Sequence, residues 1–269
     1  MITVSELTIY PVKSAAGVEL QEAALDRFGL AGDRRWLLVS PDGHFITQRE
    51  EPRLALLVAA VDGSGLSLTF GGDSIQVLIP GEQAREIRAR IWEDQVRARD
   101  AGDSVAFWLQ QKIGRQCRLV YMPDDAVRRV DGRYASAGET VSFADGYPLL
   151  LISQASLDDL NSRLEQPVPM NRFRPNIVVD GCPAFAEDGW RRLRIGGLEM
   201  TVAKPCSRCV MPSIDQTTAG RDPQINRVLA SYRRRDGEVY FGQNLLYPQT
   251  GTLAVGGIVE VLDQEFVHC

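Results

Sequence analysis

Lys204-Pro205-Cys206-Ser207-Arg208-Cys209 brings two thiols and two cations into one short segment. Such a cluster supports three chemistries: a thiolate that ligates a metal, a nucleophilic or redox-active dithiol, or two thiols that merely pack. Lys204, Ser207 and Arg208 favour a thiolate, because neighbouring positive charge and a hydroxyl donor stabilise the anionic sulfur. The approach, with Leu198, Met200 and Val202 alternating with polar residues, is strand-like. The exit, through Pro212, Asp215 and Gly220, favours turns. A loop at the mouth of a strand can present thiols and cations to a ligand.

Counting ligands narrows the choice. Structural zinc needs four ligands, usually from a second C-x-x-C or a histidine pair, and an iron–sulfur cluster needs four thiolates. Cys117, Cys182 and Cys269 are isolated, and His44 and His268, the two histidines, are not spaced for such a site. A thioredoxin-type dithiol opens a helix in a βαβ setting, whereas Pro212 and a turn-rich tail follow here. Two packed thiols remain a competitor. So does a metal held by one thiolate whose other ligands come from a cofactor. Molybdenum carried on a dithiolene is of that kind, and its phosphate and polar heterocycle require Arg, Lys, Ser and backbone donors. Lys13-Ser14, Arg34, and Arg174 with Asn176 occupy loop positions that could supply them. Only three of the thirty basic residues are lysines, and two of these, Lys13 and Lys204, flank the motifs. Against an arginine-rich background this points to a compact ammonium being wanted there.

The elements that must position these residues are mostly strands. Ile2–Ile9 alternates with a phase slip at Ser5-Glu6 that suggests a bulge, and Tyr10–Gly17 is a Pro- and Gly-punctuated loop. Val18–Leu25 and Trp36–Ser40 follow, then a Pro41-Asp42-Gly43 hairpin returning through His44–Gln48. Short strands are expected at Leu54–Val61, Leu66–Phe70, Ser74–Ile79, Ile87–Trp92 and Gln95–Arg99, a spacing typical of a barrel or sandwich. Asp103 caps a helix running to about Ile113, with Gly114 at its C′ position. After Arg118–Met122, the charge-mixed stretch from Pro123 reads as a linker or mobile loop. Strands at Thr140–Phe143, Leu149–Ile152 and Ile177–Asp180, a Ser153-capped helix and a helix from Asp222-Pro223 build the second half, which closes on Val239–Gly242 and Thr252–Leu262. The expected fold is β-dominant α+β: two β-barrel-like domains, 1–122 and 123–269, with about three helices.

The bulk composition agrees. At 269 residues, 44% hydrophobic and 24% charged, the chain can bury a sizeable core. A net charge of −5 and a pI of 5.2 argue against a broad nucleic-acid or anionic-membrane face. The opening residues show no basic-then-apolar signal pattern, and no stretch approaches the ~18–20 apolar residues of a membrane span. The expected location is the cytoplasm, and five cysteines there do not suggest a disulfide framework.

Taken in order, Tyr10–Ser14 (YPVKS), Gly32–Trp36 (GDRRW), Asp145–Ile152 (DGYPLLLI), Ser156–Leu164 (SLDDLNSRL), Phe173–Val178 (FRPNIV), Ala186–Trp190 (AEDGW), Cys206–Cys209 (CSRC) and Phe241–Leu245 (FGQNL) resemble the MOSC proteins. The likeness is to the branch holding the mitochondrial amidoxime-reducing components and bacterial hydroxylaminopurine reductases. The resemblance implies an N-terminal MOSC barrel domain followed by the MOSC domain, molybdenum cofactor bound between them, and reduction of N-hydroxylated substrates. Cys209 resembles the family's molybdenum ligand. Lys13, Ser14, Arg34, Arg174, Asn176 and Ser207 resemble its contacts to the pterin or phosphate, while Cys206 is left as a small packing residue. Gly146-Tyr147 stands where mitochondrial members carry small hydroxyl residues, so contacts there would come from backbone N–H groups. Some bacterial relatives append a ferredoxin-like domain with four cysteines; the sequence shows none, which implies a separate electron donor of ferredoxin or flavin type. Asp145 and Asp215 are candidate proton donors, although turn stabilisation is the commoner role of such aspartates. The alternative function is a non-catalytic carrier of molybdenum cofactor, or a persulfide sulfur-transfer protein.

Overall fold

The first strand, Thr3–Ile9, pairs not with its sequence neighbours alone but with the opposite end of the chain. In the computed structural model, which describes residues 1–135 and 138–265, it lies antiparallel to Ile177–Asp180 on one side and to Val18–Leu20 on the other. His268 and Cys269 lie outside the described residues. The sheet continues from Ile177–Asp180 through Leu149–Ser153, Glu238–Leu246, Leu198–Ser207 and Trp190–Ile195 to Val259–Gln264. Backbone bonds from Val4 to Gly257 and from Val259 to Ile2, both 2.9 Å, join its two ends. The sheet is thereby rolled into a barrel, filled by side chains such as Leu7, Leu151, Ile177, Leu193, Met200 and Leu245. The expected bulge is present, as a register shift between Val4 and Glu6.

Residues of the N-terminal half form a second β assembly. Trp36–Val39, Arg118–Tyr121, Asp94–Asp100 and Glu86–Ile91 make one antiparallel sheet, and Val58–Val61, Gly65–Phe70 and Asp73–Leu78 another. Both faces of the first are buried: Leu38 and Leu119 pack with helix α1 (Asp103–Ile113), and Leu37, Val39 and Val120 pack against Phe28 and Phe143. Burial on both faces explains why Trp36–Val39 reads as an unbroken apolar run. The halves are laced again where Gly251–Ala254 pairs with Glu22–Asp26.

The architecture is β-dominant α+β with three α-helices among the described residues: α1, α2 (Gln154–Asn161) and α3 (Gln224–Tyr232). Ser153 caps α2 by accepting from Ser156 N–H, and Gly114 ends α1 at φ 81°. Several local expectations differ from the structure. Gly102, not Asp103, is the N-cap of α1; Asp103 instead takes a 2.6 Å bond from Arg118, which satisfies the carboxylate outside the helix. Thr140–Phe143 makes no strand, only a bridge from Thr140 to Arg129. The stretch after Pro123 is not loose. Arg128 within it is buried, donates to the carbonyls of Ser142, Ala144 and Asp145, and pairs with Asp94 at 2.8 Å. A buried guanidinium with all these partners fixes the 142–145 loop.

Candidate functional site

Two loops meet where the barrel faces the N-terminal sheets. Lys13 N–H donates to Trp36 O at 2.8 Å and Trp36 N–H to Pro11 O at 3.0 Å, while Arg34 N–H returns to Tyr10 O at 2.8 Å. The 10–14 and 33–36 segments therefore run side by side. Phe143 N–H bonds to Arg34 O and Asn176 N–H to Leu150 O, so the Asp145 loop and the Arg174-Pro175-Asn176 segment are tied to the same frame. A cleft opens between them.

This cleft gathers the sequence candidates Lys13, Ser14, Arg34, Asp145, Gly146, Tyr147, Arg174, Asn176, Ser207 and Cys209. Arg208, already marked by the cysteine motif, lines it too, as do two arginines that the sequence did not single out, Arg49 and Arg172. Six cationic side chains thus face a wall holding one carboxylate, Asp145, a balance that attracts an anion. Lys13 is 5% exposed and bonds to Asp145 Oδ1 at 2.6 Å. Burial lowers its pKa to about 8 despite that partner. Asp145 meets Arg49 Nη2 at 3.2 Å through its other oxygen. Desolvation raises its pKa, but Lys13 and Arg49 outweigh this and hold the carboxyl well below the usual range. Arg49 and Cys209 line the same cleft; burial works to lower the Arg49 pKa, but Asp145 foremost, with Cys209, outweighs this and raises it.

Tyr10 organises the deep end. Its ring takes the Arg174 guanidinium at 4.0 Å and that of Arg34 at 4.6 Å, and its hydroxyl donates to Pro175 O at 3.1 Å. Burial raises the Tyr10 pKa to about 12, so the ring stays neutral. Arg34 is further held by Asp33 at 2.6 Å. Arg174 bonds to Gln216 at 3.3 Å, yet its Nη2 is buried with no protein partner among the described residues. Burial lowers the Arg174 pKa to about 10. A buried, incompletely satisfied cation is costly unless something else completes it. Ser14, Arg34 and Arg174 share another feature: their φ values are 67°, 49° and 57°. Left-handed backbone at non-glycine residues is strained, and such residues cluster at ligand sites.

Other expectations are redrawn. Asn176 lines the cleft but is committed to scaffolding: its amide donates to Thr8 O at 3.1 Å, and its oxygen accepts from Arg34 and Leu150 N–H. Asp215 is not among the lining residues. It accepts from Thr217 and Thr218, pairs with buried Arg172 at 2.7 Å, and these hydrogen bonds depress its pKa. That is a turn-stabilising role. Lys204 points to a neighbouring hollow, its ammonium lying 5.2 Å from the Tyr134 ring centroid and 5.6 Å from that of Tyr147. Cys206 is no packing residue: it is half-buried in the cleft wall, and Arg208 Nη1 stands 3.0 Å from its sulfur. Cys209 is exposed at the rim, its carbonyl fixed by Asn226 of α3 at 2.8 Å.

The donor set fits an anionic, phosphate-bearing cofactor with a soft metal. One exposed thiol stands beside a cleft of cations, and Arg174, whose Nη2 is buried without a partner among the described residues, is one of its lining residues. Arg49 and Arg172 were hidden by composition, since arginine is common along this chain; no local pattern set them apart. No helix among the described residues is long and apolar enough to cross a membrane.

Comparison with known proteins adds a family. Residues 1–116 match the MOSC N-terminal beta barrel domain and residues 138–260 the MOSC domain. Mitochondrial amidoxime-reducing component 1 of Mus musculus is 34% identical to 97% of this chain, which spans 83% of that protein. The Homo sapiens component 1 is 35% identical with the same two coverages. Mitochondrial amidoxime reducing component 2 of Rattus norvegicus is 36% identical over 94% of this chain and 81% of its own length.

Proposed function

The chain belongs to the MOSC family, in the branch of the amidoxime-reducing components, and from that premise we propose that it is a molybdenum-cofactor-dependent reductase of N-hydroxylated compounds. The observation that carries the reading is the cationic cleft with an exposed thiol at its rim, one of whose lining arginines, Arg174, has a buried donor without a partner among the described residues. Cys209 would supply the single thiolate. Lys13, Ser14, Arg34, Arg174, Ser207 and the Gly146-Tyr147 backbone would hold the phosphate and heterocycle. When bound, the cofactor supplies two-electron reduction of an N–OH or N-oxide group to the amine or amidine, with loss of water.

The chain's own residues set the stage for that chemistry. Arg49, bonded to Asp145 and lining the cleft with Cys209, would stabilise negative charge on the sulfur. Asp145 is held ionised, so we assign it to orienting Lys13 and Arg49 rather than to donating a proton. Tyr10 spaces Arg34 and Arg174 so that both forks can address one anion. Electrons would arrive from a separate ferredoxin- or flavin-type protein, in the cytoplasm.

The test is a pair of variants assayed with an artificial reductant and benzamidoxime. Cys209→Ala abolishes reduction and lowers bound molybdenum, whereas Cys206→Ala largely spares both. Equal activity in Cys209→Ala and the parent refutes the assignment. An exposed thiol would also suit a cofactor carrier or a persulfide relay; cofactor or sulfur retention without turnover in the parent protein selects that alternative.

A further inference from the structure

Trp92 stands where a tryptophan is not expected. Ile91 pairs with Asp94 across a two-residue hairpin, and Trp92, its first central residue, has φ 53°. In a tight hairpin whose first central residue has positive φ, glycine is the favoured occupant. A bulky side chain there is a conformational outlier, and such strain persists where function requires it. The indole gains little burial in exchange, being 53% exposed.

Its surroundings say what it faces. Trp92 lines a hollow contiguous with the cofactor cleft, sharing Arg49, Asp145, Tyr147 and Cys209 with it. Phe45 meets the indole edge-on at 5.1 Å, and the Arg49 guanidinium lies 4.9 Å from its centroid. Arg49 in turn bonds to Asp145 at 3.2 Å and shares the lining of both the hollow and the cleft with Cys209. The indole is therefore braced at the entrance, in the same hollow as the thiol assigned to the metal. Tyr147 supplies a second aromatic surface in the same hollow.

We propose that Trp92 is a stacking platform for the substrate's ring and makes this site selective for planar aromatic or heteroaromatic N-hydroxy compounds over acyclic ones. This rests on the reductase reading above. Stacking between a ring and an exposed aromatic side chain is tolerant of ring identity, so the platform selects for flatness rather than for one compound. A bland alternative is that Trp92 only covers Phe45; it predicts loss of stability and no ring discrimination.

The experiment compares benzamidoxime with acetamidoxime, which share the reactive group and differ in the ring. Without reductant, binding to the purified cofactor-loaded protein is followed by tryptophan fluorescence. Trp36 and Trp190 are buried, which leaves Trp92 the reporter most open to a ligand in this hollow, and Trp92→Phe identifies its share of the signal. Benzamidoxime should quench the Trp92 signal, with acetamidoxime needing at least tenfold higher concentration. With reductant, Trp92→Asn should raise the ratio of KM for benzamidoxime to KM for acetamidoxime about tenfold, and Trp92→Phe should restore most of it. Because asparagine tolerates positive φ, Trp92→Asn should unfold no earlier than the parent. An unchanged KM ratio, or absence of Trp92 quenching by benzamidoxime, overturns the proposal. Ring-selective quenching in a protein that reduces neither compound upholds the platform and refutes the reductase reading instead.

Discussion

Replacing Lys13 with methionine should make the cofactor-free protein more stable at neutral pH and erase a specific pH dependence. Lys13 is 5% exposed, and burial lowers its pKa from 10.5 to about 8 even with Asp145 beside it. At about 1.4 kcal/mol per tenfold change in proton affinity, keeping that ammonium charged costs about 3 kcal/mol. Below pH 8 the lysine is charged in both the folded and unfolded chains, so the cost is fully present. Between pH 8 and 10.5 the folded protein has released the proton while the unfolded chain still binds it, so stability rises with pH across that window. Lys13→Met lacks the group. It should gain up to about 3 kcal/mol at pH 7, less what Asp145 forfeits with one of its two cations gone. The assay is urea unfolding of parent and variant, both stripped of cofactor, at pH 7 and pH 10, comparing the change between pH values. Tyr10 titrates near the top of this range with the opposite sign, but it is common to both proteins and cancels. Parallel pH curves would refute the reasoning. Reloading the cofactor should flatten the parent's curve, since an anion at Lys13 restores its affinity for the proton.

Two further outcomes follow from particular atoms. Gly242 has φ 84°, and a Cβ there would lie 2.6 Å from Ile152 Cγ1 and 2.9 Å from Leu151 O; Gly242→Ala should cost about 3 kcal/mol from left-handed strain plus overpacking, read as a lower urea midpoint with unchanged slope. Arg174→Met removes the guanidinium whose Nη2 has no partner among the described residues; the cofactor-free protein should unfold no earlier than the parent, while pterin recovered from the purified protein, measured by fluorescence after oxidation, falls at least tenfold. Undiminished pterin would show that Arg174 holds the scaffold and not the cofactor.

Local physics was legible in the sequence. The alternation of Thr3–Ile9, its slip at Ser5-Glu6, the Ser153 cap and the Gly114 stop each depend on a few neighbouring residues, and each is present. What escaped depends on partners far along the chain. Arg128 reads as a loop cation until the carbonyls of 142–145 are brought to it. Asp215 and Asn176 look available for a ligand until Arg172, Thr8 and Arg34 take up their atoms. Arg49 acquires meaning only because the N-terminal half places it on the cleft that Cys209 also lines. The cysteine motif suggested a thiolate; molybdenum came from motifs spread along the whole chain.

The way the barrel is closed bears on how this protein is made. Its seam joins Ile2 and Val4 to Gly257 and Val259, and Glu22–Asp26 waits for Gly251–Ala254. Contacts of such sequence separation give high contact order and slow folding. During synthesis the first strand meets Val18–Leu20 at once but waits for Ile177–Asp180, leaving one edge unpaired until that segment follows. Residues 1–116 and 138–260 are thus two modules by sequence but one unit by hydrogen bonding. Cutting between them should yield two fragments that complement each other when co-expressed, and neither of which folds when made alone.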